Sequence, residues 1–203
     1  MRLHGGTHSG YTQKVRVALA EKGLTDIVPF VDVPKAERGP LHARARNVLR
    51  LVPVLELDDG TFLNESSAII EYLDALYPAR PLVPADPLRR ARMHALDHYQ
   101  DQALTPPYRR LWNALVEPGG GDTETIAAAR HAFVGVFRHL DSVLEGPYLV
   151  GDFSLADVAF VPRLQLLPTL GLEVPAELGR ARAWVERLRA RPSWAETMFP
   201  PVR

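Results

Sequence analysis

Residues 52–73 read VPVLELDDGTFLNESSAIIEYL, and this stretch changes its periodicity twice. Val54 to Leu57 and Thr61 to Leu63 flank Asp58-Asp59-Gly60, which predicts a hairpin with an Asp-Gly turn. Ile69, Ile70, Leu73 and Leu76 then fall at i, i+1, i+4 and i+7, one face of a helix. Between them stand four polar residues, Asn64-Glu65-Ser66-Ser67. Reading outward to the N-terminus, Arg2 to Gly5 is a short strand. Tyr11 to Lys22 is a helix with Val15, Ala18 and Leu19 at core spacing and Gly23 as its stop. Ile27 to Val33 reads as a strand, and residues 35–49, rich in Ala and Arg, as a weak helix. The order β-α-β-α-β-β-α defines an α/β domain.

The composition changes at YPARPLVPADP, residues 77–87, where Pro78, Pro81, Pro84 and Pro87 block helix continuation and sheet pairing. We therefore expect a first domain over residues 1–77, a linker over 78–86 and an all-helical domain over 87–203. Helical patterns run over 87–116, 123–145, 154–170, 175–190 and 192–198, with EPGGGD, residues 117–122, as a loop. FSLADV, residues 153–158, combines a capping box (Ser154, Asp157) with a hydrophobic staple (Phe153, Val158). The helix it starts is apolar nearly all round, so Asp157 is read as a buried structural group and Pro162 as a kink.

With no cysteine in 203 residues, the chain has no disulfide scaffold, no Cys-ligated metal and no protein thiol for catalysis. Equal numbers of acidic and basic residues, 24 each, argue against a nucleic-acid surface. No apolar run reaches the ~20 residues of a membrane span, and MRLHGGTHSG has no secretory h-region. A cytoplasmic protein without a membrane partner is expected. The seven histidines show no ligand spacing beyond His94 and His98 at i, i+4, better read as a helix face, so no metal is expected. No P-loop and no GxSxG motif is present.

Three features of the α/β half have chemical potential. Ser9, in THSGY, is a plausible N-cap, and its hydroxyl at a positive helix end would also lower the pKa of a bound thiol. Pro53 precedes an apolar strand, where a trans bond is unremarkable; a cis bond would present the Val52 backbone edge-on to a peptide-like ligand. Ser66 or Asn64 would cap the third helix, with Glu65 favourable in its first turn; the same N–H groups and hydroxyl would equally bind a carboxylate.

Taken in order, these pieces resemble the cytosolic glutathione transferase family, serine-type, of the theta- or zeta-like bacterial kind. The matching residues are Ser9-x-Tyr11-x-x-Lys14-Val15-Arg16, Ala18-Leu19, Glu21-Lys22-Gly23-Leu24, Val52-Pro53-Val54-Leu55, Leu63-x-Glu65-Ser66-x-Ala68-Ile69 and Tyr72-Leu73. Tyr77-Pro78, Pro81-Leu82 and Gly151-x-x-Ser154-Leu155-Ala156-Asp157 extend the resemblance over essentially the whole chain. It implies a thioredoxin-like N-terminal domain followed by an all-α domain, a homodimer, and glutathione as co-substrate. It also implies a cis bond before Pro53, pairing of Val52 with the glutathione backbone, and Glu65 and Ser66 at the γ-glutamyl end. Ser9 would contact the sulfur.

Two residues depart from the family pattern. Leu51 stands where many members carry the Lys or Gln that meets the glycine carboxylate, leaving Arg50 or Lys35 as substitutes, and Gly10 replaces a frequent proline. Tyr11, Tyr108, Leu111, Trp112 and Phe199 are the candidates for a substrate pocket, and each serves equally well as a core residue. The expected activity is conjugation of glutathione to small hydrophobic electrophiles. The alternatives are a non-catalytic protein-binding module of the same fold and a glutathione-dependent isomerase or dehalogenase.

Overall fold

The computed structural model describes residues 1–200. Its first strands and helices are β1 (Arg2–Gly5), α1 (Gly10–Lys22), β2 (Phe30–Asp32), α2 (Arg38–Arg44), β3 (Val54–Glu56), β4 (Phe62–Asn64) and α3 (Ser66–Leu76). The sheet order is β2-β1-β3-β4, with β1 and β2 parallel and the other neighbours antiparallel. The thioredoxin-like β-α-β-α-β-β-α order is therefore present.

Period-two side-chain alternation explains how this sheet is covered. Leu3, Leu55 and Leu63 lie in one row of the register. On the opposite face Val54 packs with Leu41 of α2 and Ala45 at its C-terminal cap, joined by Val33 and Phe62. Strand β2 is shorter than expected because Ile27 and Val28 both turn back to bond the Leu24 carbonyl, and pairing starts beyond Pro29. The expected helix over 35–49 reduces to a 3-10 turn, Lys35–Glu37, and α2. It stops there because Arg46 and then Arg50 take left-handed backbone angles, φ 48 and 53.

The chain divides into two compact units, Met1–Val83 together with the segment from Pro192, and Pro84–Arg191. The C-terminal stretch was expected with the helices. Instead α9 (Pro192–Glu196) packs on α1, and Thr25, in the turn after α1, donates through Oγ1 to Glu196 Oε1 at 2.9 Å. Residues 79–83 of the expected linker are fastened to the first unit by a buried ion pair. Lys22 Nζ donates to Asp74 Oδ1 at 2.6 Å and to the carbonyls of Ala79 and Arg80 at 3.2 Å. Asp74 in turn accepts from the backbone N–H groups of Leu82 and Val83.

The second unit contains α4 (Pro87–Tyr99), α5 (Thr105–Leu115), α6 (Thr123–Val143), α7 (Leu155–Gln165) and α8 (Gly179–Arg189). The expected helix over 87–116 is split by a π turn, Gln100–Leu104, closed by the Thr105 N–H on the Gln100 carbonyl. Asp86 and Asp122 cap α4 and α6 through their side chains. The α7 capping box forms with both reciprocal bonds, and the helix runs on through Pro162 to Gln165. Asp157 is fully buried and accepts from Leu149 N, Trp184 Nε1, Ser154 N and Ser154 Oγ. That places it inside the core, as its sequence context predicts.

Candidate functional site

One row of the sheet register gathers the candidate residues. His4 pairs with Val54, Val54 pairs with Asn64, and His4 also sits beside Val31. The exit of β1, the approach to β3 and the exits of β4 and β2 therefore open at the same end of the sheet. Ser9 follows β1, Val52-Pro53 precedes β3, Glu65-Ser66 follows β4, and Lys35 follows β2. Residues 56 positions apart in sequence are thus brought to one edge by strand pairing alone.

Ser9 is the N-cap of α1, and its Oγ accepts from the Thr12 N–H at 3.3 Å. Accepting through Oγ leaves the hydroxyl hydrogen free to donate elsewhere. The loop before it is tightly folded: Ser9 N bonds the Gly6 carbonyl and Thr7 N donates to Asp32 Oδ1 at 2.8 Å. Gly5 is needed for close approach: a Cβ there would clash with the whole Thr12 side chain, whereas one on Gly6 would meet only the far end of the Arg38 side chain.

The Val52–Pro53 peptide bond is cis, and both residues are buried. This is the cis bond that the family resemblance implies, not the trans geometry that the dipeptide alone favours. Since the β1–β3 ladder ends at His4–Val54, the Val52 backbone lies beyond its last rung.

The start of α3 differs from the expected cap. Neither Asn64 nor Ser66 is the N-cap: the position belongs to Glu65, whose side chain makes no capping bond. Its backbone stands at φ 70 and ψ 118, a conformation that costs a non-glycine residue on the order of 1–3 kcal/mol and marks a locally constrained site. Ser66 is the first helical residue and is buried, while Glu65 is exposed. Without a side-chain cap, the first-turn N–H groups of α3 keep their capacity to bind an anion. Ser67 Oγ is instead held from below, by Lys14 Nζ at 2.8 Å.

The basic residues lie on the α2 side. Arg50 is exposed on the turn before β3, and Lys35 is exposed at the start of the 3-10 turn. Leu51 is 57 % exposed, so it does not serve as core in place of the family's polar residue. Arg38 lies on this side as well, with His42 buried beneath it in α2, and neither was picked out by motif reading. Arg38 Nε donates to the Val33 carbonyl at 2.9 Å, which lays its guanidinium against Gly6. His42 is buried with Nδ1 lacking a partner. Burial, then the charges of Arg38 and Arg50, hold its pKa below the usual value. The Arg-rich spacing of 38–50 was the available signal, but it does not say which side chains turn toward the β1–α1 loop.

Residues 8–76 match the N-terminal domain of glutathione S-transferase, and residues 108–192 match its C-terminal domain. Glutathione S-transferase 2 of Saccharomyces cerevisiae is 34 % identical over 90 % of this chain and 83 % of its own length. Maleylacetoacetate isomerase of Rhizobium meliloti is 36 % identical over 80 % of this chain and 79 % of its own. The crystal structure of Gtt2 from Saccharomyces cerevisiae superposes with a TM-score of 0.80, covering 97 % of this chain and all of that one, at 32 % identity.

The chain belongs to the glutathione S-transferase family.

Among the other transferase candidates, Tyr11 lies in the first turn of α1 and is half-buried, as is Phe199 beyond α9. Tyr108, Leu111 and Trp112 lie on α5 of the second unit. Tyr108 stacks on Trp112 with ring centroids 6.0 Å apart, and the Arg163 guanidinium carbon lies 4.6 Å from the Tyr108 ring centroid. Burial pushes the Tyr108 phenol up to about 12, against the opposing charge of Arg163, so it stays a neutral hydroxyl at neutral pH. Leu111 is fully buried and belongs to the helical core, whereas Trp112 is partly exposed, its Nε1 donating to Glu117. Among the described residues no group of three His, Asp or Glu could hold a metal ion, and no helix is long and apolar enough to cross a membrane.

Proposed function

We propose that this transferase binds glutathione at the β1–β3–β4 end of the sheet and conjugates it, through its sulfur, to small hydrophobic electrophiles. The observation that carries this is the shared register row His4–Val54–Asn64, which supports a single site made by Ser9, Val52, Pro53, Glu65 and Ser66. The Val52 backbone would pair with the cysteinyl part of the peptide. Glu65 would take the γ-glutamyl ammonium, and Ser66 with the uncapped N–H groups of α3 its carboxylate. Ser9 would donate to the sulfur, and the positive end of α1 would favour the thiolate over the thiol.

The thiol proton leaves to solvent, the sulfur lone pair forms a C–S bond, and the leaving group departs with its bonding electrons. Arg50, or Lys35, would meet the glycine carboxylate in place of the residue that Leu51 replaces. Tyr11 and Phe199, both of the first unit, would contribute to the electrophile's surroundings, in a homodimeric cytoplasmic protein. Retention on immobilised glutathione and turnover of a chromogenic aryl halide are the expected results. No glutathione binding at millimolar concentration and no conjugation across a broad electrophile panel would overturn the assignment and leave a protein-binding module.

A glutathione-dependent isomerase is the second reading, favoured by the likeness to the Rhizobium meliloti isomerase. There the thiol adds and later leaves, so glutathione is not consumed. A glutathione mass balance during turnover separates the two.

A further inference from the structure

Resting on the glutathione reading above, we propose that Asp32 is a positioning residue for Ser9: its carboxylate, at the end of β2, fixes the loop that carries the sulfur donor. That loop, Gly6-Thr7-His8-Ser9, joins β1 to α1 and has no apolar side chain to anchor it in the core. Its place is therefore set by hydrogen bonds and not by packing. Within the loop, Ser9 N bonds the Gly6 carbonyl at 2.9 Å. Thr7 N reaches outward and donates to Asp32 Oδ1 at 2.8 Å. Among the described residues, this is the hydrogen bond that ties the loop to a strand other than its own.

Two features direct the carboxylate there. Strands β1 and β2 are parallel with Gly5 beside Asp32, so the aspartate stands next to the residue from which the loop departs. The ladder runs one bond further, from Val33 N to the Gly5 carbonyl at 2.7 Å, which holds this part of the chain in line. The second feature is a missing local partner. An aspartate in a turn commonly accepts from the backbone N–H two residues on, but that residue is Pro34, which has none. The side chain bonds across 25 positions instead, and a carboxylate is a stronger acceptor for a backbone N–H than a neutral oxygen. Its charge is attracted to Arg16 of α1, whose guanidinium carbon lies 4.8 Å from the Phe30 ring centroid. That cation offsets a negative charge which, left alone, would disfavour a thiolate nearby.

Asp32 touches no ligand in this arrangement; it acts through the loop. Ser9 Oγ accepts from the Thr12 N–H at 3.3 Å, and the tether at Thr7 holds the chain entering that cap. The residues proposed to hold the peptide, Val52, Glu65 and Ser66, belong to other segments. Loosening the loop should therefore lower rate and spare affinity.

The test uses the full chain, with steady-state conjugation kinetics, calorimetric titration of glutathione and an absorbance titration of the bound thiolate against pH. Asp32 is exposed, so its replacement leaves the core intact. Asp32→Ala should lower kcat about tenfold while glutathione affinity stays within about twofold, because a misplaced donor fails in the reaction and not in binding. Asp32→Asn, which keeps an acceptor for Thr7, should restore most of kcat. Both variants remove the charge, so a higher pH midpoint for the thiolate in Asp32→Ala than in Asp32→Asn reports the hydrogen bond alone. In a Ser9→Ala background, Asp32→Ala should lower kcat by no more than about twofold, since the two act as one unit. Equal kcat in the Ala and Asn variants, a full further loss in the Ser9→Ala background, or a loss of affinity as large as the loss of kcat would overturn the proposal. Wild-type protein that neither binds nor conjugates glutathione would sink the glutathione reading itself, a result distinct from an active wild type whose kcat Asp32→Ala leaves unchanged.

Discussion

Asn64 faces Val54 on the last rung of the β3–β4 ladder, and the residue after it, Glu65, leaves the sheet at φ 70 to open α3. Strand and helix meet there with no spare residue, so the turn is made by a glutamate in a conformation that glycine would adopt more easily.

Glu65→Gly should therefore separate stability from function. Relief of the positive φ is expected to raise or preserve the midpoint of thermal unfolding, by up to about 1 kcal/mol of stability. Glutathione affinity should fall by roughly tenfold or more, as a charge-assisted contact to the ammonium is lost. Thermal denaturation and calorimetric titration measure the two effects. A lower midpoint with unchanged affinity would make Glu65 a structural residue.

Ser9→Ala should lower kcat for conjugation far more than it raises KM for glutathione. A loss of about 10²-fold in kcat is expected for a donor that acts on the developing thiolate. Removal of the N-cap contact to Thr12 should cost about 1 kcal/mol in chemical denaturation. An unchanged kcat would move the sulfur contact to Thr7, Tyr11 or the backbone N–H groups.

Arg50 and Lys35 are separable by the glycine end of the ligand. The residue that meets the glycine carboxylate should lose on the order of tenfold in affinity on substitution by Ala, and the loss should vanish with glutathione monoethyl ester. If neither Arg50→Ala nor Lys35→Ala discriminates between acid and ester, Arg38, laid against Gly6, is the next cation to test.

Asp157 gives a prediction for stability against pH. Burial raises its carboxyl pKa to about 6, outweighing the donors from Leu149, Trp184 and Ser154 that pull it down. The folded protein therefore binds this proton more tightly than the unfolded chain. The contribution is complete below the ordinary carboxylate range, near pH 4, and is lost as pH rises toward 6, by up to about 3 kcal/mol. Urea denaturation across that window should show wild-type stability falling relative to Asp157→Asn as pH rises. The substitution itself should cost about 2–4 kcal/mol by breaking a buried hydrogen-bond network. Parallel pH profiles for the two proteins would contradict the raised value.

Much of the site was legible in the sequence where one local device serves both folding and binding. Ser9 could be named from its place before a helix, and the α7 capping box from Ser154 and Asp157, because caps act over three residues. The cap of α3 was misplaced onto Asn64 or Ser66 because the positive φ of Glu65 is imposed by the register on one side and the helix on the other. Arg38 and His42 escaped notice for a related reason. The bond from Arg38 to the Val33 carbonyl, and the charges of Arg38 and Arg50 around His42, are set by how α2 lies on the sheet.

By itself the sequence determined the order of elements, the absence of a protein thiol and the buried role of Asp157. Each follows from side-chain periodicity, backbone restriction or residue type, which act over a few residues. Only the tertiary structure decided that four chain segments open at one end of the sheet. It also decided that the segment from Pro192 returns to α1, that the Val52–Pro53 bond is cis, and that a lysine lies buried under the start of α3. Those outcomes depend on strand register and on long-range packing, which bring together residues that no local pattern connects.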